Sequence, residues 1–245
     1  MMGRTVSATE NGASLLGSVP AEATLATELP VGSSLPGIVS ELGQSRANLV
    51  VGVLALQGDF REHADVLRAL GCTVVMVRRP EELARVSGLV IPGGESSVMD
   101  KLARMFGLFE PLRDAIRAGL PVYGTCAGLI MLADTVLDGM AGQRSLGGLN
   151  ISVRRNAFGS QNASFETDLQ IPQFGSAPVH AAFIRAPVVE TVGPRATALA
   201  TLADGRCVAV EQGNLLGTSF HPEITGEHRF HEYFLNKVHA VAFRH

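Results

Sequence analysis

Residues 121–130 read PVYGTCAGLI, and the fold of the chain is decided there. Pro121-Val122-Tyr123 closes an apolar strand, Leu129-Ile130-Met131-Leu132 belongs to a helix, and Gly124-Thr125-Cys126-Ala127-Gly128 must turn one into the other. Small residues two before and two after a central side chain are what a sharp strand-to-helix elbow demands, because bulkier ones clash in so tight a turn. The elbow lifts Cys126 above the sheet edge and sets it near a helix N-terminus, where the dipole and unpaired N–H groups favour an anion. Such surroundings can favour a thiolate, the nucleophilic form of cysteine, which makes Cys126 the candidate nucleophile. Cys72, at the opening of a strand, and Cys207, within one, have no such surroundings and read as packing residues.

The same strand-then-helix grammar extends upstream. LVVGVLAL (49–56) is a near-continuous apolar run, as in a strand buried on both faces. FREHADVLRAL (60–70) then places Phe60, Ala64, Leu67 and Leu70 at helical spacing, and Gly71 stops it. TVVMV (73–77) and GLVIP (88–92) are further strands, VMDKLARMF (98–106) and FEPLRDAIRAG (109–119) further helices, and AGLIMLAD (127–134) the helix after the elbow. Alternation of this kind implies right-handed crossovers and a mostly parallel sheet with helices on both faces, an α/β fold. Downstream, ISVRR, HAAFIRAP, VVETV, TALATLA, RCVAVEQG and NLLGTSF are short strand-like runs cut by Gly, Pro and Asp, so the sheet is expected to continue as a mixed or antiparallel extension. GEHRFHEYFLNKV (226–238) is a closing helix.

Residues 1–48 differ. They are rich in Ser, Ala, Gly, Thr and Pro without sustained periodicity, and are expected to be a disordered extension ahead of a domain over 49–242. No continuous apolar stretch follows Arg4, as a secretory signal would need, and Glu10, Glu22, Glu28 and Glu41 speak against a transit peptide; a start assigned too far upstream is the other reading. A net charge of -3 with no basic stripe argues against a nucleic-acid partner. The apolar runs fall short of the roughly 20 residues that span a bilayer. Three scattered cysteines without a CxxC pair suit neither a disulfide framework nor a zinc site, and fit a reducing, cytoplasmic setting. The histidines show no ligand spacing, so no metal is expected.

A cysteine nucleophile needs an imidazole to carry its proton. Of seven histidines, only His221 directly follows a strand-like run and precedes the Pro that ends it, which puts it at a strand's carboxyl end, where open α/β sheets build their sites. Glu223, two residues on in an extended His-Pro-Glu segment, returns to the same side and can hold the ring's tautomer. His63, His228, His231 and His239 fall on helices and read as solvated faces; His180 opens a strand. IPGGESS (91–97) is a strand-to-helix turn at the same edge: Gly94 can present its N–H to a developing oxyanion, and Ala127, after the nucleophile, can supply a second donor. The plain alternative for this turn is a helix start capped by Ser96 or Ser97.

Taken together, VGVLALQGDFREH, RRPEEL, LVIPGGESS, PVYGTCAGLI, VRRNAFGSQNASFE, FIRAP and SFHPE resemble the class I glutamine amidotransferases, and more narrowly the glutaminase-subunit family of pyridoxal 5′-phosphate synthase, over about Leu49 to Val238. GTCAG and HPE belong to the wider superfamily; LQGDFREH, RNAFGSQ and FIRAP are specific to that subunit. The resemblance implies a three-layer flavodoxin-like fold and a Cys126–His221–Glu223 triad that hydrolyses L-glutamine. It implies a glutamine pocket formed by Gly94, Glu95, Ser96, Arg155, Ile184 and Arg185, with Gly94 and Ala127 as oxyanion donors. It implies no cofactor on this chain, and a (β/α)8 synthase subunit, in a hetero-oligomeric complex, that receives the ammonia and activates the glutaminase on docking. LQGDFREH, beside the presumed oxyanion turn, is the candidate for sensing that partner. Free glutamine carries an α-carboxylate and an α-ammonium, so a cation such as Arg155 or Arg185, and an acid such as Glu95, suit it chemically. For either arginine the plain alternative is an ordinary ion pair. Ser160 stands where the family usually has Arg, so any ion pair made there is missing. Other readings are a glutaminase serving a different synthase, a cysteine hydrolase of the peptidase and deglycase-like group, whose base comes from elsewhere, and a degenerate, non-catalytic scaffold.

Overall fold

The structure, a computed structural model, describes residues 48–155 and 164–243. The extension read over 1–48 lies, up to residue 47, outside the described residues, as does Ser160.

The apolar runs form the parallel half of one sheet. β1 (Val50–Leu54), β2 (Thr73–Val77), β3 (Gly88–Ile91), β4 (Val122–Thr125) and β12 (Leu215–Thr218) lie in the order β2-β1-β3-β4-β12, every neighbouring pair parallel. β3, β4 and β12 are buried along their whole length, which is why their apolar residues run on without alternation, broken in β4 and β12 only by glycine and by the buried Thr125 and Thr218 at their ends. Alternate side chains feed two cores. Leu89, Ile91, Val122 and Leu215 join Met99, Leu112 and Leu129 of α3 (Ser96–Met105), α4 (Phe109–Arg117) and α5 (Ala127–Leu132). Val51, Val53, Val90, Tyr123 and Leu216 join Leu67, Phe230 and Phe234 of α1 (Phe60–Ala69) and α7 (Arg229–Ala242). Each such fully buried side chain contributes roughly 1.5–3 kcal/mol of transfer free energy. Two one-turn helices, α2 (Pro80–Leu83) and α6 (Pro222–Thr225), start on proline, whose fixed φ suits the first helical position.

Beyond β12 the sheet turns mixed. β11 (Cys207–Gln212), β9 (Val188–Val192) and β6 (Leu149–Arg154) pair antiparallel in succession, β10 (Thr197–Thr201) adds to β11, and β5 (Ala133–Val136) closes the edge parallel to β6. β7 (Ser164–Leu169) and β8 (Val179–Ile184) make a separate antiparallel pair. Several elements differ from the sequence reading: α2 was not foreseen, and the His-Pro-Glu segment is not extended, since Pro222 and Glu223 open α6. The helix after the elbow stops at Leu132, not Asp134; Ala133 takes φ -66°, ψ 141°, and the β-branched Thr135 and Val136 pair with Ser152 and Val153 of β6. Pairing with a formed strand outweighs one more helical turn. β7 escaped notice because its acids alternate with only two large apolar residues, Phe165 and Leu169; Phe165 stacks on Phe183 of β8 at 4.6 Å between ring centres.

The elbow is held by close backbone contact. A methyl group at Gly128 would stand 2.0 Å from the carbonyl oxygen of Ile91 in β3, and one at Gly124 2.5 Å from the carbonyl carbon of Gly128. Neither neighbour is a flexible side chain, so the strand or the helix itself would have to move. Gly128→Ala is therefore expected to destabilise the fold by about 3 kcal/mol, the upper end for overpacking, read as a lowered urea midpoint with unchanged slope; an unaltered midpoint would refute this account of the elbow.

Candidate active site

Three parallel strands end side by side, and their registers bring the predicted residues together. Thr125 of β4 pairs with Thr218 of β12, and Gly124 with Ile91 of β3. The residues just past these ends are Cys126, His221 and the Gly93-Gly94 turn. Cys126 adopts φ 48°, ψ -100°, a left-handed backbone that a non-glycine residue occupies only under constraint. Its N–H donates to the Thr218 carbonyl at 2.8 Å, and its own carbonyl accepts from Ile130 N–H at 3.2 Å as α5 begins. Ala127 is the first residue of that helix.

His221 is fixed from three sides. Its N–H donates to the Ala182 carbonyl of β8 at 3.0 Å. Its ring lies over Gly93, where a methyl group would come within 2.3 Å of Cε1. Its Nδ1 is 2.8 Å from Glu223 Oε1, and Asp59 Oδ2 stands 3.5 Å from the same nitrogen. With Nδ1–H committed to the carboxylate, Nε2 is left to face Cys126. Burial opposes a charged ring, yet the hydrogen bonds to Cys126 and Glu223, with the charges of both, outweigh it and push His221 up to about 10. Glu223 is buried, which pushes its carboxyl up; the hydrogen bond and charge of His221 pull the other way.

A cavity of about 320 Å³ opens onto these groups. Gly94, Glu95, Ser96, Cys126, Arg155, Ile184, Arg185 and His221 all line it, whereas Glu223, bonded to His221, and Ala127, next to Cys126, are not among its lining residues. Across it Arg155 Nη2 donates to Glu95 Oε1 at 2.6 Å and Nη1 to Gln143 Oε1 at 3.0 Å; Gln143 in turn donates to Ser96 Oγ at 3.0 Å. Both readings of Arg155 thus hold at once: it lines the pocket and makes an ion pair. Arg185, at φ 47°, is the second non-glycine residue in left-handed backbone among those described, and sits at the mouth beside the exposed Ile184. The plain alternative for this turn, a serine cap on α3, is not found; Glu95 takes the position, accepting from Ser97 N–H at 3.2 Å.

Gln57, Asp59 and Ile130 also line the cavity and were missed as site residues. The first two belong to LQGDFREH, read for partner sensing; Gln57 Oε1 accepts the Glu95 N–H at 2.7 Å, and Asp59 N–H reaches the Gly93 carbonyl at 3.3 Å. Ile130 carried no signal beyond that of a helix residue. The reading of His63 and His231 as solvated is wrong: both are fully buried, because α1 and α7 press these rings together under the sheet, His63 Nδ1 lying 2.9 Å from His231 Nε2. Asp59, His221 and Glu223 form the one cluster among the described residues able to hold a metal ion; the His221 nitrogen it would use is already held by Glu223. No helix among the described residues is long and apolar enough to cross a membrane.

A thiol on an elbow, an imidazole held by a buried carboxylate, and a small polar cavity are the equipment of acyl transfer through a covalent thioester, which defines a class of cysteine-dependent α/β enzymes. The chain belongs to the SNO glutamine amidotransferase family, whose model matches residues 53–240. It is 74% identical over 190 residues to a protein of Leifsonia xyli subsp. xyli named pyridoxal 5′-phosphate synthase subunit PdxT, the match covering 78% of this chain and 96% of that one. A Streptomyces avermitilis protein of the same name is 58% identical over 191 residues, covering 78% and 94%. A crystal structure of a glutamine amidotransferase matches with a TM-score of 0.71 at 46% identity, over 77% of this chain and 98% of that one. That of a putative GMP synthase subunit from Thermoplasma acidophilum, at 19% identity and a TM-score of 0.53 over 79% and 93%, shares the fold. The mixed, mostly parallel sheet is the flavodoxin-like α/β fold of the class I glutamine amidotransferases.

The electrostatics of the site can be tested directly. A ring whose folded value is raised from 6.5 to about 10 contributes stability in full below pH 6.5 and loses it as the pH climbs through about 10. In a histidine-labelled sample, nitrogen NMR is expected to show His221 still protonated at pH 8. A His221 midpoint near the ordinary value would contradict the pairing with Cys126 and Glu223.

Proposed function

We propose that this protein is the glutaminase subunit of a pyridoxal 5′-phosphate synthase, hydrolysing L-glutamine to L-glutamate and passing the ammonia to a synthase subunit. The observation that carries this reading is the meeting of Cys126 with His221, itself held by Glu223, at one cavity whose lining also bears the Arg155–Glu95 pair. The names of the curated relatives point to the same role. The nucleophile is the Cys126 thiolate, paired with protonated His221. It attacks the side-chain amide carbon, and Gly94 and Ala127 N–H groups receive the charge that builds on oxygen. His221 gives its proton to the departing nitrogen, which leaves as ammonia, and a thioester remains. Water then adds with His221 taking its proton, and release of glutamate restores the thiolate. Arg155 and Glu95 bind the α-carboxylate and α-ammonium, with Ser96, Ile184 and Arg185 completing the pocket. The pairing of His221 with Glu223 supports this over the peptidase and deglycase-like alternative, in which the base comes from elsewhere.

We place the catalytic domain at 49–242. The receiving partner is a (β/α)8 subunit in a hetero-oligomeric complex whose docking raises the glutaminase rate, and the three free cysteines support a cytoplasmic setting. The test is glutamate release with and without a purified synthase subunit. Wild type is expected to speed up on its addition. Cys126→Ala is expected to lose at least about a thousandfold in kcat; release at the wild-type rate would sink the proposal. Arg155→Ala removes a charge-assisted bond of roughly 1.5–3 kcal/mol and is expected to raise KM about 10- to 100-fold, and an unchanged KM would remove Arg155 from the pocket assignment.

A further inference from the structure

The carboxylate behind His221 has two oxygens, and only one is accounted for. Glu223 Oε1 holds His221 Nδ1 at 2.8 Å. Oε2 is buried without a hydrogen-bond partner by ordinary geometry among the described residues, and His63 Nε2 lies 3.5 Å from it. The same His63 nitrogen is 3.0 Å from Thr125 Oγ1, on the residue before the nucleophile. On the ring's other side His63 Nδ1 is 2.9 Å from His231 Nε2, and His231 Nδ1 has no partner among the described residues. Two histidines from helices distant in the chain thus stand in file behind the triad carboxylate.

Both rings are neutral. Burial, then the neighbouring His231 and His221, holds His63 well below its ordinary value. Burial, then His228, holds His231 at about 3 against the opposing pull of Glu227. A neutral imidazole carries one N–H, so the file admits two arrangements. If His63 donated from Nδ1 to His231, its bare Nε2 lone pair would face a carboxylate oxygen, and His231 would bury an unpaired Nδ1–H. If His231 donates from Nε2 to His63 Nδ1, then His63 carries its proton on Nε2, facing Glu223 Oε2 and Thr125 Oγ1, and the only unpartnered atom is a lone pair on His231. A buried donor without a partner costs about 1–3 kcal/mol, and more is at stake when the neighbour is charged, so the second arrangement prevails.

We propose that His63 is a positioning residue of the reaction: locked by His231, it presents an N–H to the far oxygen of Glu223 and to Thr125, holding the carboxylate ionised and aligned for His221. It touches neither the substrate nor Cys126. The proposal rests on the glutaminase reading above.

The test compares two amides of different reach. His63→Gln sets an N–H near the place of Nε2, whereas His63→Asn reaches only the place of Nδ1. Assayed as the full chain with the synthase subunit, the Gln variant is expected to keep kcat within about threefold of wild type. The Asn variant and His63→Leu are expected to lose at least about tenfold in kcat with little change in KM, the signature of a group that acts on the transition state and not on binding. In a Glu223→Ala background His63→Asn is expected to cost nothing further, since its target is gone. Equal rates for the Gln and Asn variants, or the same loss with and without Glu223, would overturn the proposal. A readout independent of turnover is the low-field proton of His221 Nδ1. It is expected to move in the Asn and Leu variants and stay in Gln, and a resonance unmoved in all three overturns the proposal even if the chain hydrolyses another amide. Wild type that releases no glutamate refutes the glutaminase reading alone.

Discussion

The structure turns on how closely helix α5 can approach strand β3. With no side chain at Gly124 or Gly128, the backbone of the elbow comes into contact with the Ile91 carbonyl, and Cys126 is driven into a backbone conformation it would not choose. That strain, of order 1–3 kcal/mol, is sustained by the hydrogen bond to Thr218 and by the wholly buried strands on either side. It sets the sulfur at the sheet edge, at the level where β12 delivers His221 and β3 delivers Gly93. Filling any of these contacts would displace the thiol from the imidazole before it touched the chemistry.

Electrostatics in the site is a contest between desolvation and pairing. Burial alone would discharge both His221 and Glu223, and it is the largest influence on each. Their 2.8 Å bond, with the interaction between His221 and Cys126, reverses the outcome for the ring. Loss of one member leaves burial to decide, and the surviving group is pushed toward its neutral form.

The elbow of Cys126, the place of His221 at a strand's end and the parallel half of the sheet were legible because each is dictated by local rules. Small residues flank an elbow, apolar runs mark strands buried on two faces, and a histidine follows a strand before proline. Arg155, Ile184 and Arg185 were legible only through family resemblance: Arg155 follows β6, Ile184 ends β8 and Arg185 comes just after it, and nothing local tells that these positions meet at one cavity. What the chain hid is non-local. Helical spacing put His63 and His231 on helices without saying which face, and their burial depends on two helices 168 positions apart meeting under one strand. Gln57 sits in a loop whose importance shows only when Glu95 arrives to donate to it. The end of α5 at Leu132 follows from a strand partner, β6, that comes later in the chain.

The bridge from Arg155 to Glu95 gives the cavity a latch of its own. A molecule that engages the guanidinium parts those two charges, and Arg155, little exposed, is costlier to leave bare than the half-exposed Glu95. A zwitterion compensates both at once, offering an anion to the guanidinium and a cation to the carboxylate. An amide bearing only one charge would strand the opposite partner, and a neutral amide both. Under the function proposed above, this pair would sort amides by charge count before the thiol has met a carbonyl.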